Sequence, residues 1–207
     1  MTAPSDWYKF NFLHLSLVAL QHFVQLLTNE GKAYMKIINS TIKDTEAIFK
    51  LYDAAVAYQK IKFNKHWQAI DAGMVENEIL ENRQWKIIDS DDNILCIFAT
   101  AGNDPFIWGE EKDADPSIYL HRIVTNPLFR GKNYVMEIIQ WAKVFGRQNK
   151  KKFIRMDTWG DNEKLIEYYT RCGFIFAGIT TPSKTALLPK HYSAISLSLF
   201  EIEISAG

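Results

Sequence analysis

Two polar motifs in the second half of this sequence hold residue types that could bind an anionic ligand and act on it. The first follows Asn126 and Pro127 and spans Arg130–Val135. An apolar segment precedes it and an amphipathic pattern follows it, so it is predicted to be a turn between a strand and a helix. The first turn of a helix offers unpaired N–H groups and the positive end of the helix dipole. The motif therefore predicts an anion-binding turn, to which Arg130 and Lys132 add charge.

The second motif runs from Asn162 through the pair Tyr168 and Tyr169 to Gly173-Phe174. Asn162 and Tyr169 are separated by about two turns of a helix, so they are predicted to share a face. Tyr168 points to another face and is expected to be a core residue. A packing role for Tyr169 is the alternative to a chemical one.

The elements that must position these motifs alternate between strand and helix. Ser117–Val124 and Lys152–Trp159 are short apolar segments typical of buried strands. Between them one apolar face recurs at helical spacing, formed by Val135, Ile138, Ile139, Ala142 and Phe145. The polar residues thus gather at strand ends, where open α/β sheets bind their ligands.

The preceding and following segments extend this pattern into one α/β domain. A first strand is predicted at Tyr34–Ile38, a helix that starts near Thr41, and a second helix around His66–Glu81. Further strands are predicted at Gln84–Asp89, Asn93–Thr100, Phe174–Gly178 and Ala194–Ile204. The segment Gly102–Pro116 is acidic and has no periodicity, so a solvated loop is predicted, with a functional loop as the alternative.

Composition limits the classes of function. The chain has 207 residues, 47% of them hydrophobic, which suffices for one sizeable core. Lys plus Arg and Asp plus Glu number 24 each, so no global positive field indicates nucleic acid or an anionic membrane as a partner. Cys96 and Cys172 have no metal-binding spacing. They are predicted to be reduced core thiols of a cytoplasmic protein, and no metal is expected.

The N-terminal residues 1–34 are predicted to form a helical extension, followed by the main domain over residues 35–207. Phe10–Leu27 is hydrophobic enough to suggest a membrane span, but it contains His14, Gln21 and His22, which a bilayer core disfavours. Its apolar residues recur at intervals of three and four, which favours an amphipathic helix. Such a helix would pack on the domain or on a second subunit, so a homodimer is possible.

Together, the two motifs resemble the signatures of the GNAT superfamily of acyl-coenzyme A-dependent N-acyltransferases. That family has Arg/Gln-x-x-Gly-x-Gly/Ala after a strand and a turn, then an Asn, a helical Tyr and Gly-Phe. The resemblance extends from about residue 33 to the C-terminus. It implies a mixed, mostly antiparallel central sheet flanked by helices, here with an extra N-terminal helix. It also implies direct transfer of an acetyl group from acetyl-CoA to a primary amine of a small molecule or protein.

The resemblance assigns most of the cofactor-binding residues to the first motif. Pyrophosphate would bind the turn formed by Arg130, Gly131, Lys132, Asn133, Tyr134 and Val135. The backbone of Ile123, Val124 and Thr125 would pair with the pantetheine and polarise the acyl carbonyl. Asn162 is the remaining residue that the resemblance assigns to cofactor binding. Asn133 and Val135 replace small residues of the signature. Asn133 tolerates the left-handed backbone that glycine would adopt, whereas Val135 is expected to crowd the phosphates.

The resemblance also suggests the catalytic residues. Tyr169 matches the general acid that protonates the leaving thiolate. Ser117 occupies the position nearest to the carboxylate that often serves as the base. His121, on the same strand face as Ser117 and Ile123, is the alternative candidate, with a pKa near ~6.5 suited to the task. Glu110, Glu111 and Asp115 compete from the loop, and a structural role for His121 stays open.

Three functions are compatible with these residues. An acetyl-CoA-dependent N-acetyltransferase is favoured. A non-catalytic acyl-CoA-binding module of the same fold is the second, supported by Val135 and by the missing carboxylate. A different nucleotide-binding α/β protein is disfavoured, because the sequence contains neither Gly-x-x-x-x-Gly-Lys-Ser/Thr nor Gly-x-Gly-x-x-Gly.

Overall fold

A computed structural model describes residues 34–62, 66–160, 162–182 and 196–205 of the chain. The helical extension predicted for residues 1–34 lies outside these ranges, apart from Tyr34. Among the described helices, none is long and apolar enough to cross a membrane.

The described strands form one seven-stranded sheet in the order β1-β2-β3-β4-β5-β7-β6. The strands are β1 Lys36–Asn39, β2 Gln84–Ile88, β3 Ile94–Ala101, β4 Ser117–Thr125, β5 Phe153–Trp159, β6 Ile175–Thr180 and β7 Leu197–Glu203. Each neighbouring pair is antiparallel except β4 and β5, which run parallel. The predicted mixed, mostly antiparallel sheet is therefore confirmed.

Helices cover both faces of the sheet. They are α1 Thr45–Lys62, α2 Ala72–Leu80, α3 Pro105–Trp108, α4 Glu110–Asp113, α5 Tyr134–Gln148 and α6 Glu163–Arg171. One core cluster joins the face of α5 to the sheet through Ile138, Ile139 and Ala142. A second cluster joins α1 and α2 to the opposite face through Ile48 and Val75. The helix stripes read from the sequence thus face the core, as amphipathic helices do.

Several strand and helix bounds differ from the sequence predictions by a few residues, and two segments differ for a local reason. The second helix begins at Ala72 rather than near His66, because the side chain of Asp71 accepts the N–H of Met74 at 2.8 Å and caps the helix there. The acidic segment is not a plain loop, since α3 and α4 lie within it. Trp108 of α3 is buried against Tyr119 of β4, so this segment is fixed to the sheet.

Candidate active site

The candidate site is a cleft between β4 and β5. These parallel strands pair only from Ser117–Phe153 to Leu120–Met156, and the ladder does not continue along the rest of either strand. β5 goes on pairing with β7, and β4 with β3. The two strands therefore diverge, which leaves the β5-facing backbone edge of β4 open from His121 onward. No sequence pattern reveals this divergence, because it depends on the pairing of strands that are distant in the sequence.

A cavity of about 420 Å³ lies in this cleft. It is lined by backbone and side chains of β4, including Ile123, Val124 and Thr125, and by Arg130 from the following turn. Across the cleft, the lining includes Asp157 of β5, and aromatic side chains close the rest: Tyr58, Trp67, Trp159 and Tyr169. The cavity thus brings Arg130 of the predicted anion turn together with the predicted catalytic residues His121 and Tyr169.

A bulge in β4 shapes the mouth of the cleft. Arg122 has φ 49°, and the register between β3 and β4 shifts beside it. The Arg122 guanidinium is buried and held by Glu78 of α2 at 2.5 Å. Because the extra residue reverses the alternation of side chains, Ile123 packs in the α5 core cluster, whereas Tyr119 packs on the opposite face. The expectation that His121 and Ile123 share a face is therefore wrong.

The predicted anion turn has the backbone of a glycine-rich loop. Asn133 adopts φ 51° and ψ 49°, the left-handed conformation expected of it, and Gly131 has φ 83°. Gly131, Lys132 and Asn133 are exposed, as a ligand site requires. The guanidinium of Arg130 lies 4.5 Å from the ring centroid of Tyr58, so the turn is joined to α1.

Tyr134 and Val135 begin α5, and their side chains are directed away from this turn. Tyr134 is 4% exposed and Val135 7%, and both lie in the core cluster between α5 and the sheet. Only their backbone N–H groups, which belong to the first helical turn, are therefore available to a ligand. This geometry removes the reason to expect that the valine side chain crowds a phosphate.

The second motif forms α6. Asn162 caps the helix, since its side chain accepts the N–H of Leu165 at 3.2 Å. Tyr169 lines the cavity while its ring packs against Phe174 and Phe200. Burial raises the pKa of Tyr169, so its hydroxyl keeps its proton at neutral pH.

Tyr168 differs from the expected core residue in one respect. Its ring packs partly against the core, but its hydroxyl donates a hydrogen bond to Oδ1 of Asn133 at 2.7 Å. The helix that carries Tyr169 is therefore connected directly to the anion turn. The sequence pattern missed this link, because it joins residues from two separate motifs.

His121 lies beside two aspartates. Its Nε2 is 3.6 Å from Oδ2 of Asp104, and its Nδ1 is 3.7 Å from Oδ1 of Asp157. The side chains of His121, Asp104 and Asp157 are 11%, 9% and 5% exposed. We call these three residues the acid–histidine cluster. An imidazole beside two carboxyl groups is suited to accepting a proton, because each carboxyl group stabilises the imidazolium when it is ionised.

Asp104 is an unusual member of the cluster. Among the described residues, its Oδ2 has no hydrogen-bond partner. Burial, with the nearby charges of Asp157 and Asp113, raises the pKa of Asp104 to about 8. A carboxyl group with this pKa changes its protonation state close to neutral pH, which is typical of a functional site.

Sequence reasoning missed Asp104 and Asp157 as site residues. Asp104 was one acid among several in its segment, and Asp157 interrupts an apolar strand, which was the available signal. The rival bases lie elsewhere: Glu110 and Glu111 are exposed, and Asp115 lies 3.5 Å from Arg155. Ser117 is buried and donates its hydroxyl to the carbonyl of Asp115 at 2.8 Å.

The cluster also has the residue types of a metal centre. One ligand atom from each of its three residues lies within 4.8 Å of the others, so one ion could have three protein ligands, the number in a catalytic zinc site. The two ring nitrogens of His121 have different nearest carboxyl groups. This pairing is the observation that favours a role in moving a proton.

Comparisons with known proteins agree with this geometry. The profile of the Acetyltransferase (GNAT) family matches residues 52–174, more than half of the chain. The Bacillus subtilis (strain 168) protein named uncharacterized N-acetyltransferase YesJ is 25% identical over 171 residues, which cover 79% of this chain and 87% of that protein.

Solved structures of similar fold include two bacterial proteins. A GNAT-family acetyltransferase from Listeria monocytogenes matches with a TM-score of 0.67 and 21% identity, over 82% of this chain and 94% of that one. YncA from Salmonella typhimurium, solved with its cofactor acetyl-CoA, matches with a TM-score of 0.57 and 13% identity, over 84% and 95%. At these identities the structures show a shared fold.

Proposed function

The chain belongs to the GNAT acetyltransferase family, and from this premise we propose that it transfers an acetyl group from acetyl-CoA directly to a primary amine. The observation that carries the proposal is the divergence of β4 and β5 after Leu120 and Met156. This divergence creates a slot with an open strand edge. Arg130 of the anion turn and Tyr169 both line the cavity in this slot.

In this proposal the turn binds the pyrophosphate of coenzyme A. The N–H groups at the start of α5 supply donors, and the left-handed backbone of Asn133 opens the turn towards the ligand. Arg130 and Lys132 add positive charge. Asn162 acts through its cap on α6, which fixes the direction of the helix beside the cofactor slot.

The open edge of β4 would bind the pantetheine and the acyl group. The backbone N–H groups of Ile123 and Thr125 are the donors on this edge that would polarise the acyl carbonyl and stabilise the negative charge that develops on its oxygen, whereas Val124 between them pairs with Ile97 of β3. The bulge at Arg122, fixed by Glu78, sets their direction. Preorganised donors of this kind need no rearrangement when the charge forms.

Two side chains would exchange protons with the reactants. His121 takes a proton from the incoming ammonium, which makes the nitrogen nucleophilic. Tyr169 donates a hydrogen bond or its proton to the leaving thiolate. Because burial raises the pKa of Tyr169, this hydroxyl stays protonated until the thiolate develops.

The acceptor is proposed to be a primary amine of a small molecule or of a protein. The cavity supports a cationic acceptor, since it combines the carboxylate of Asp157 with the aromatic walls formed by Tyr58, Trp67 and Trp159. A cytoplasmic location is part of the proposal, because Cys96 and Cys172 are both buried free thiols. A homodimer stays a prediction from the sequence.

A non-catalytic acyl-CoA-binding module is the alternative of the same fold. It was suggested by Val135 and by the missing carboxylate at Ser117. The side chain of Val135 lies in the core, and Asp104 and Asp157 supply carboxylates beside His121. Neither observation therefore still favours the binding module.

The proposed function is tested by two measurements. Coenzyme A should raise the melting temperature much more than dephosphorylated pantetheine, because the turn recognises the phosphates. Acetyl-CoA should then release free thiol when members of a panel of primary amines are added. Stabilisation by coenzyme A without thiol release from any amine would indicate the binding module, and equal stabilisation by both ligands would refute the phosphate site.

A further inference from the structure

Asp104 lies behind His121 as seen from the cavity. His121 and Asp157 line the cavity, whereas Asp104 is not among the described residues that do so. Oδ2 of Asp104 lies 3.6 Å from Nε2 of His121, and one oxygen of Asp104 lies within 4.8 Å of one of Asp157. We therefore expect Asp104 to act on a molecule in the cavity through the two residues of the cluster that line it.

Keeping a carboxylate at this position is costly for folding. Asp104 is 9% exposed, and its Oδ2 has no hydrogen-bond partner among the described residues. Asp157 and Asp113 bring two further negative charges close to it. A neutral side chain of the same shape would avoid the penalty of a buried, poorly paired charge. A cost of this kind next to a cavity suggests a chemical role.

We propose that Asp104 is the positioning residue of the general base: together with Asp157 it lies beside the ring nitrogens of His121, so that the cluster takes the proton of the incoming ammonium as an imidazolium stabilised by these carboxyl groups. This inference rests on the proposed acetyl transfer. The separations of 3.6 and 3.7 Å exceed hydrogen-bond length. We expect them to shorten when the ring becomes charged, as catalytic hydrogen bonds often do once substrate is bound.

The protons balance as follows. The ammonium gives its first proton to His121, and the neutral nitrogen attacks the acetyl carbon. The C–N bond forms and the C–S bond breaks, and the thiolate takes the proton of the Tyr169 hydroxyl. The second proton of the acetylated nitrogen restores Tyr169, and His121 releases the first to solvent. The net change is an amide, a thiol and one free proton, with no other reactant.

The charged and titratable groups around Asp104 come from three elements. They are His121 of β4, Asp157 of β5 and Asp113 of α4, whose carboxylate accepts the backbone N–H of Asp104 at 2.6 Å. Since the pKa of Asp104 is raised to about 8, the cluster holds a proton at neutral pH. The capacity of the cluster to accept another proton should therefore increase as the pH rises through about 8.

The test is Asp104→Asn, which keeps the shape and removes the charge. The substitution removes a group that stabilises the imidazolium once it is ionised, so His121 becomes a weaker base, kcat should fall by ~10-fold or more, and the rise of kcat with pH should move to lower pH. The KM for acetyl-CoA should be unchanged. The control is Glu111→Gln, an exposed acid of the same segment, which should match the wild type. A lower kcat at every pH, without a shifted profile, would mean a merely structural role and would overturn the proposal.

A second measurement does not depend on turnover. NMR titration of the His121 ring, assigned with a His121→Asn variant, should show its pKa lower by roughly 1–3 units in Asp104→Asn, as expected for the loss of an opposite charge at this distance. An unchanged His121 pKa would refute the proposal even if the protein is an active acetyltransferase. If no amine is acetylated but this pKa shifts, the pairing stands and the proposed function fails. Zn²⁺ binding that Asp104→Asn abolishes, with an unshifted kcat profile, would instead indicate a metal site.

Discussion

The hydroxyl of Tyr168 lies 2.7 Å from Oδ1 of Asn133 and donates a hydrogen bond to it. Asn133 has the left-handed backbone on which the anion turn depends. This hydrogen bond therefore connects α6, which carries the proposed acid Tyr169, to the proposed phosphate site. Two adjacent tyrosines thus have separate partners, one at the turn and one in the cavity.

Tyr168→Phe should weaken coenzyme A binding and leave kcat nearly unchanged. The substitution removes one hydrogen bond to Asn133, which is worth about 0.5–1.5 kcal/mol, so the Kd should rise by ~2–10-fold. Isothermal titration with coenzyme A measures this effect. Tyr169→Phe is the matched comparison, because it removes the same atom from the next residue and should leave the Kd unchanged. Equal Kd values for Tyr168→Phe and wild type would mean that the hydrogen bond does not support the turn.

Val135→Ala should destabilise the fold without improving coenzyme A binding. The valine side chain is buried in the core cluster of α5, so its truncation leaves a small cavity that costs on the order of 1–2.5 kcal/mol. Chemical denaturation gives the free energy of unfolding, and titration gives the Kd. Val135→Gly should lose more stability, since glycine also disfavours the helix. Tighter binding of coenzyme A by either variant would mean that the Val135 side chain does crowd the phosphates.

The sequence revealed the parts of the site that depend on short stretches of chain. The left-handed Asn133, the buried face of α5 and the position of Tyr169 each follow from spacing or residue type within one or two helical turns. The acid–histidine cluster does not, because Asp104, His121 and Asp157 come from three separate elements. Their meeting depends on the parallel pairing of β4 with β5 and on the anchoring of α3 by Trp108.

Backbone irregularities were also beyond the sequence pattern. Simple alternation along β4 placed Ile123 on the face of His121. The bulge at Arg122 reverses this order, and it is stabilised by Glu78, which is distant in sequence. No local propensity indicates a left-handed arginine in a strand. Here the buried ion pair between Arg122 of β4 and Glu78 of α2 stabilises it.

The stability of the protein should depend on pH through Asp104. An aspartate titrates near 3.8 when unperturbed and Asp104 near about 8 in the fold, so between these values the folded state holds a proton that the unfolded chain has lost. The free energy of unfolding contributed by this group therefore falls as the pH rises from about 4 to 8, and is constant above that range. Asp104→Asn lacks this penalty. Its melting temperature should exceed that of the wild type by a margin that is larger at pH 8.5 than at pH 5. If the melting temperatures of Asp104→Asn and wild type differ by the same amount at both pH values, Asp104 is not held protonated in the folded state.

Tyr169→Phe should lower kcat without weakening the binding of acetyl-CoA. The substitution keeps the ring that packs against Phe174 and Phe200, so the free energy of unfolding should change little. If the hydroxyl protonates the leaving thiolate, kcat should fall by up to ~10²–10⁴-fold. The KM for acetyl-CoA should barely move, because the lost interaction strengthens only as charge develops on sulfur. Steady-state kinetics across pH measures both constants, with Tyr168→Phe, which should leave kcat nearly unchanged, as the neighbouring control for kcat. Turnover at the wild-type rate at every pH would make Tyr169 a packing residue and leave the thiolate to be protonated by solvent.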